Sequence, residues 1–463
     1  MFFNLKNQTM TNTSYGYIID PNDSTKRIDG VRLVIIDSKV TIEIPKKIHT
    51  LKFEILNGFF PNHNNVTFVG CSFYQLTSGA GRSEGVTKYK VEYMLSGICI
   101  KSLDELKFSK AFVNIPSLAD FYGSTLINLS HTDDEMIVRI QEPQEIGITD
   151  IDNFSLSLSI GNKIYGEPGA LNIQEVCDLK IAVTDNTILL HDFFKIIERF
   201  QSFLLLVLNY SPNITEIVFY RDDHFSFYGE EKSFIPIQLT TNFHNMDYKN
   251  NLIIGELKYS DVENELSKML FHWYNNKNLH ISIDLITEKV YNKDLSRENY
   301  FLNSCFAIEI FHRRIVGGTE YPDDVFKEKL EIICNSIEDE KFVSLVNNRL
   351  QFANEYSFRK RLKDFKEDFA KILPETCEIK GFISKIVDTR NYLVHRGSDG
   401  NTFKEIDLYY ASKYIESILI INCLKIINCP DWMINKSFTC TKNSLEQLYN
   451  LNNFLQTKIC EKS

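Results

Sequence analysis

Arg390, Asn391 and His395 stand in the stretch IVDTRNYLVHRG, residues 386 to 397, and their types and spacing are those of a group that handles phosphate. On a helix Asn391 and His395 are i and i+4 and share a face, while Arg390 and His395 lie about 140° apart. The length of an arginine lets its guanidinium swing toward that face. A histidine gives and takes protons near neutral pH, and an arginine fork holds a phosphate or its developing negative charge. These are the groups needed to cleave RNA without a metal. One activates the 2′-hydroxyl or protonates the leaving 5′-oxygen, and the other clamps the phosphodiester. No cysteine–histidine cluster and no acidic quartet accompanies them, so neither a metal nor a cofactor is expected.

The element that must position these groups is a helix over 375 to 395. Phe382, Ile383, Ile386 and Val387 recur at helical spacing and mark a buried stripe. Carried forward, the stripe meets Arg390, Asn391, Val394 and His395, where burial of an unpaired charge or amide costs on the order of 2 to 7 kcal/mol. Gly397 is expected to end the helix and leave His395 at its exposed tip.

The surrounding chain is long enough for two or three domains at 463 residues, and a charged fraction of 24% is that of an ordinary globular protein. A net charge of −10 argues against coating nucleic acid by bulk electrostatics, so contacts with RNA must be local. The ten cysteines form no C-x-x-C pair, which points away from structural zinc and toward reduced thiols in a cytoplasmic location. The apolar run at 193 to 210 is interrupted by Lys195, Glu198 and Arg199, so no membrane span is expected.

Up to about residue 190 the segments read as strands: VRLVII (31 to 36), VTIEI (40 to 44), NVTFVGCSFYQL (65 to 76) and FSLSLSI (154 to 160). Turn signals at NG (57 to 58), GN (161 to 162) and EPG (167 to 169) separate them. A helix over 189 to 209 is followed by two strands, around 215 to 221 and 233 to 241. Beyond these, helices are expected at 260 to 275, 278 to 291, 295 to 315, 323 to 337, 339 to 354, 358 to 373, 375 to 395, 404 to 428 and 442 to 459. In SFRKRLKDFKEDFAKILP, Ser357 is the N-cap, Pro374 the stop, and Phe358, Leu362, Phe365, Phe369 and Ile372 the apolar stripe. The chain thus reads as a multidomain α+β protein. A β-rich N-terminal domain, sandwich or barrel-like, spans 1–255, and an all-helical bundle domain spans 256–463 with its core at about 295–430.

Four stretches imitate chemistry without its spacing. GAGRSEG (79 to 85) lacks the phosphate-loop pattern and reads as a hairpin loop; IVGGTE (315 to 320) reads as a helix C-cap with Gly317 or Gly318 at positive φ. YRDDHFSFYG (220 to 229) and HTDDE (131 to 135) read as solvated turns, because neither has partners at ligand spacing.

AIEIFHRR (307 to 314), SFRKRL (357 to 362) and RNYLVHRG (390 to 397), in that order behind a β-rich region, resemble the ApeA-like HEPN proteins of bacterial anti-phage defence. Arg390 and His395 with four residues between them, Asn391, Tyr392, Leu393 and Val394, of which the first is polar, match the HEPN ribonuclease signature. The detailed likeness covers roughly 295 to 430; the first 250 residues match only in general layout. The resemblance implies a metal-independent endoribonuclease that leaves a 2′,3′-cyclic phosphate and works as a homodimer bringing two such motifs to one cleft. It implies structured RNA such as tRNA as substrate, and a β-rich domain that restrains the nuclease until a phage-encoded protein triggers it. It also implies that Glu309 orients Arg390 or His395; by spacing, Glu309 sits at the edge of the stripe Phe301, Cys305, Ile308 and His312. Arg359, Lys360, Arg361, Lys363 and Lys366 on one helix, with Arg396, are candidate phosphate contacts, or else a solvated face. Two other readings stand beside this one. Arg390 and His395 form buried ion pairs with Asp388 or Glu309, or the helical domain is a non-catalytic adaptor that dimerises or binds RNA while the β-domain binds a ligand.

Overall fold

The computed structural model describes residues 11–21, 23–77, 85–132, 135–167, 170–184, 187–228, 231–241, 257–292, 294–375, 377–396 and 400–452. Residues 79–84 of the glycine-rich loop, Asp133 and Asp134, 168–169 of the EPG turn, Gly397 and residues 453–459 of the helix expected at 442 to 459 lie outside them. The chain divides into two compact units. Among the described residues, one holds those from Thr11 to Leu205, Tyr210–Thr241 and Leu257–Ser267; the other takes Leu206–Asn209 and those from Lys268 to Asn452.

In the first unit, strand-forming residues alternate as the sequence requires, and the strands close into a barrel. They are β1 (Thr11–Asp20), β2 (Asp23–Ile36), β3 (Lys39–Ile44), β4 (Lys52–Phe60), β5 (Asn64–Thr77) and β6 (Val86–Val91), followed by β7 (Tyr93–Ser96) outside the ring. Antiparallel pairing runs β1-β2-β3-β6-β5-β4 and back to β1, so the six-stranded ring leaves no free edge. Ile18, Leu33, Ile42, Phe60, Phe68 and Tyr89 fill it. β5 is long enough to serve two neighbours: Val66–Val69 pairs with β7, and Ser72–Thr77 with β6. Between them Gly70 adopts φ +66°, and a Cβ there would meet Glu92 at 2.5 Å, so the changeover requires glycine. Through β7 the sheet continues over the strands Ile237–Thr240, Glu216–Tyr220, Lys110–Asn114, Ala170–Val183, Phe154–Glu167 and Gln144–Ile151.

Two expected turns are not turns. Asn57 and Gly58 lie within β4, where the Asn57 amide donates to the Ile100 carbonyl at 2.7 Å and Gly58 lets β1 approach; a Cβ would stand 2.4 Å from the Tyr17 carbonyl oxygen. Gly161 and Asn162 lie within the strand Phe154–Glu167. In both places a partner strand supplies the hydrogen bonds that a turn would otherwise make.

The helices are α1 (Ser117–Tyr122), α2 (Leu190–Leu206), α3 (Tyr259–Asn275), α4 (Lys277–Tyr291), α5 (Arg297–Phe311), α6 (Asp323–Asn335), α7 (Glu340–Leu350), α8 (Phe358–Asp364), α9 (Lys366–Ile372), α10 (Ile379–His395), α11 (Ile406–Ile426) and α12 (Asp431–Asn452). The boundary between units falls inside α3 rather than at 255, because the start of α3 packs into the β-rich unit: the Tyr259 ring lies 6.2 Å from that of Phe121, and Thr149 donates to the Ser267 carbonyl. No helix among the described residues is long and apolar enough to cross a membrane.

In the second unit Phe382 of α10 sits among Phe369, Phe403 and Tyr414 at ring distances of 5.7 to 5.9 Å, the centre of the bundle core. α6 and α7 contribute no buried side chain and expose Ile332, Phe342 and Leu345. The helix expected over 358 to 373 is broken at Phe365 into α8 and α9, although Leu362, Phe365, Phe369 and Ile372 are buried as its stripe requires. α5 passes into a π turn, His312–Val316, which ends at Gly317 with φ +70°.

Candidate active site

α10 buries Phe382, Ile383, Ile386, Val387 and Thr389 and then runs out of neighbours. Arg390 keeps 24% of its side chain exposed, while Asn391, Val394, His395 and Arg396 are exposed. The expected burial of Asn391 and Val394 is therefore corrected, while His395 is exposed at the tip as expected: the apolar stripe leaves the core at Arg390, and the desolvation cost falls on that residue alone. The helix also stops one residue early. Arg396, not Gly397, is the C-cap, in the left-handed region at φ +54°, with its N–H on the Tyr392 carbonyl at 2.7 Å.

Arg390 is held from several sides. Its Nη2 lies 3.6 Å from Glu309 Oε2 on α5, and its Nη1 donates to the Asn391 side-chain oxygen at 3.2 Å. The rings of Phe306 and Phe358 stand 6.0 and 5.9 Å from the guanidinium carbon. Its Nε is buried with no hydrogen-bond partner. The structure thus brings Arg390, Asn391 and Glu309 together. His395 makes no hydrogen bond or ion pair among the described residues. Asp388 pairs with Arg359 at 3.5 Å and accepts from Asn401 at 2.7 Å, so it is a partner to neither Arg390 nor His395.

The basic run on α8 divides. Lys363 and Lys366 are exposed. Lys360 pairs with Asp364 and lies over the Tyr356 ring at 4.9 Å. Arg359 donates to Ser384 Oγ at 2.6 Å and so ties α8 to α10. Arg361 is 2% exposed and is not available to RNA. Its Nε donates to the Tyr356 carbonyl at 3.0 Å, its Nη1 to His312 Nδ1 at 3.2 Å, and its Nη2 lies 3.5 Å from Glu355. A buried guanidinium that satisfies its donors internally is a structural group, which corrects its placement among the phosphate contacts.

His312 is fully buried, and its Nε2 lies 2.8 Å from Asp364 Oδ2. A carboxylate only accepts, so Nε2 carries the proton and Nδ1 accepts from Arg361: the imidazole is neutral. Burial lowers the His312 pKa against the opposing pull of Asp364, with the Arg361 charge lowering it further. Burial raises that of Asp364, but hydrogen bonds from Lys360 and His312 outweigh it and hold the carboxyl below its ordinary range.

Two roles escaped the sequence reading. Thr389, fully buried between Asp388 and Arg390, donates to the Lys385 carbonyl at 2.7 Å and accepts from the Phe403 N–H at 2.9 Å, fastening the helix where the site begins. Arg313 reaches Glu355 at 2.9 Å and Glu309 at 3.6 Å. The i, i+4 spacing of Glu309 and Arg313 was a visible signal for the second contact; nothing local marked Glu355.

Comparison with protein families matches residues 302–430 to the Apea-like HEPN model and residues 15–273 to ApeA N-terminal domain 1. No curated protein and no solved structure matches the chain. The first match contains Glu309, Arg390 and His395, and HEPN domains are generally nucleases; the second spans more than half of the chain. With both halves matched in order, the chain belongs to the ApeA-like HEPN family of anti-phage proteins.

Proposed function

We propose that the protein is a cytoplasmic, metal-independent endoribonuclease of abortive infection, cutting structured RNA such as tRNA through Arg390 and His395. One observation carries this reading. Arg390 is held by Glu309 and two aromatic rings, yet its Nε is buried without a partner, one turn of helix from a histidine that faces solvent. An unsatisfied buried donor costs about 1–3 kcal/mol. A phosphate oxygen arriving at the exposed part of the guanidinium, 24% of the side chain, finds positive charge already in position, and a small shift of the fork brings Nε to it as well.

His395 acts at the tip of α10. The RNA 2′-hydroxyl gives up its proton to a histidine as its oxygen attacks phosphorus. The bond to the 5′-oxygen breaks with its electron pair, and that oxygen takes a proton from a second general acid. The products are a 2′,3′-cyclic phosphate and a 5′-hydroxyl, while Arg390 neutralises the non-bridging oxygens. Asn391, hydrogen-bonded to Arg390, helps orient the fork. Lys363, Lys360, Arg359 and Arg396 stand as the neighbouring basic groups, of which Lys363 and Arg396 are exposed. A homodimer through the helical domain supplies the second histidine, and the solvent-facing Val394 and His395 support a face that a second copy covers. The β-rich domain restrains the nuclease until a phage-encoded protein relieves it.

The test is end-group analysis of RNA treated in EDTA with the purified chain, its restraint relieved by added extract of phage-infected cells and the extract alone serving as background. Cyclic phosphate ends from the wild type, intact DNA, and no cleavage by His395→Ala are the expected results. 3′-hydroxyl ends, or activity lost to the chelator and restored by magnesium, would falsify the mechanism. A wild type that binds RNA without cutting it would favour the adaptor.

A further inference from the structure

The geometry points to Glu355 as a positioning residue for Arg390, acting through a chain of alternating charges that starts at the buried Arg361. The inference rests on the proposed role of Arg390 as phosphate clamp. The chain runs Arg361 to Glu355 (3.5 Å), Glu355 to Arg313 (2.9 Å), Arg313 to Glu309 (3.6 Å) and Glu309 to Arg390 (3.6 Å).

Its two ends differ. Arg361 is fixed: the Tyr356 carbonyl and His312 hold it, and Asp364 holds His312 in turn. Arg313 is 54% exposed, so its own pairs are individually weak in water and need such an anchor to persist. Glu309 stands between two guanidinium groups at the same 3.6 Å, Arg313 and Arg390. While Glu355 draws Arg313 to itself, much of the Glu309 charge is left to Arg390. Without the Glu355 carboxylate, Arg313 turns to Glu309 and competes with Arg390 for it. Glu355 touches neither Arg390 nor His395, so its influence has to pass through Arg313 and Glu309.

The full chain, labelled with ¹⁵N-arginine, reads this directly. The Arg390 Nε–H resonance is identified by its disappearance in Arg390→Lys. Glu355→Gln, isosteric and on a partly exposed residue, should move that resonance while leaving that of Arg27 in the barrel unchanged; in a Glu309→Gln background the same substitution should not move it. An Arg390 resonance indifferent to Glu355→Gln, or equally shifted without Glu309, overturns the chain whatever the protein does to RNA. In the cleavage assay, Glu355→Gln should lower kcat about tenfold with KM changed less than about twofold, since misplacing a transition-state clamp costs turnover rather than binding. A loss confined to KM counts against positioning. A wild type that cuts no RNA even with extract of phage-infected cells overturns the nuclease reading, while the resonance still decides the chain.

Discussion

Arg390 and His395 differ in what each side chain can reach, and so in what its loss should do. A clamp that stabilises developing charge contributes about 10²–10³ in rate, and a general acid–base about 10²–10⁴. Arg390→Ala and His395→Ala should therefore each abolish RNA cleavage and phage protection. His395, exposed and without partners among the described residues, should leave thermal stability unchanged when replaced, which a melting curve checks. His312 gives a prediction of opposite kind. Its folded pKa lies below the ordinary 6.5, so the unfolded chain binds the proton more tightly. Its contribution is complete above pH 6.5 and is lost as pH falls through the folded value. Unfolding midpoints should drop on acidification from pH 6.5, and the drop should shrink in His312→Gln. Asp364, whose folded pKa is lowered, loses its contribution only in more acidic solution, below its ordinary 3.8.

Among the elements, α10 decides how the site is presented. Its stripe, Phe382, Ile383, Ile386 and Val387, was legible from spacing, and so was the polar break at Arg390. Whether that break was buried was not legible, because the length of a helix does not say how much of it its neighbours cover. The C-cap follows the same rule. Arg396 bears a left-handed conformation that costs about 1–2 kcal/mol in a residue with a Cβ, and glycine recovers part of this. Arg396→Gly should raise stability by roughly 0.5–1 kcal/mol, measured by denaturant titration, while weakening salt-dependent RNA binding. On α8, FRKRL read as a basic face. Helical spacing alone placed Arg361 no differently from Lys360, and only the π turn carrying His312 above it made a pocket for one guanidinium.

For the whole molecule, the bundle carries a face bearing Val394 and His395 that the helices among the described residues leave open. Light scattering at micromolar concentration should find a homodimer, and Val394→Asp should shift it toward monomer and reduce cleavage. Monomer with full activity would contradict the arrangement. The β-rich unit shows why fold class is read more easily than topology. Alternating apolar residues in VTIEI and FSLSLSI announce strands wherever they pair, but closure of β1–β6 into a ring depends on β1 meeting β4 and β6 meeting both β3 and β5.

Residue type and period, which are local, were enough to divide strands from helices, place most helices within a few residues, and single out Arg390, Asn391 and His395 as the candidate group. Glu309 came from the family resemblance rather than from spacing. What required tertiary structure were the interactions between segments distant in sequence: the barrel closure, the strand pairing that absorbs Asn57 and Gly58, the burial of Arg361, and the meeting of Glu355, Arg313 and Glu309 beside Arg390. Periodicity reports which face of an element is apolar. Which charge finds a partner there is decided by the other elements that arrive.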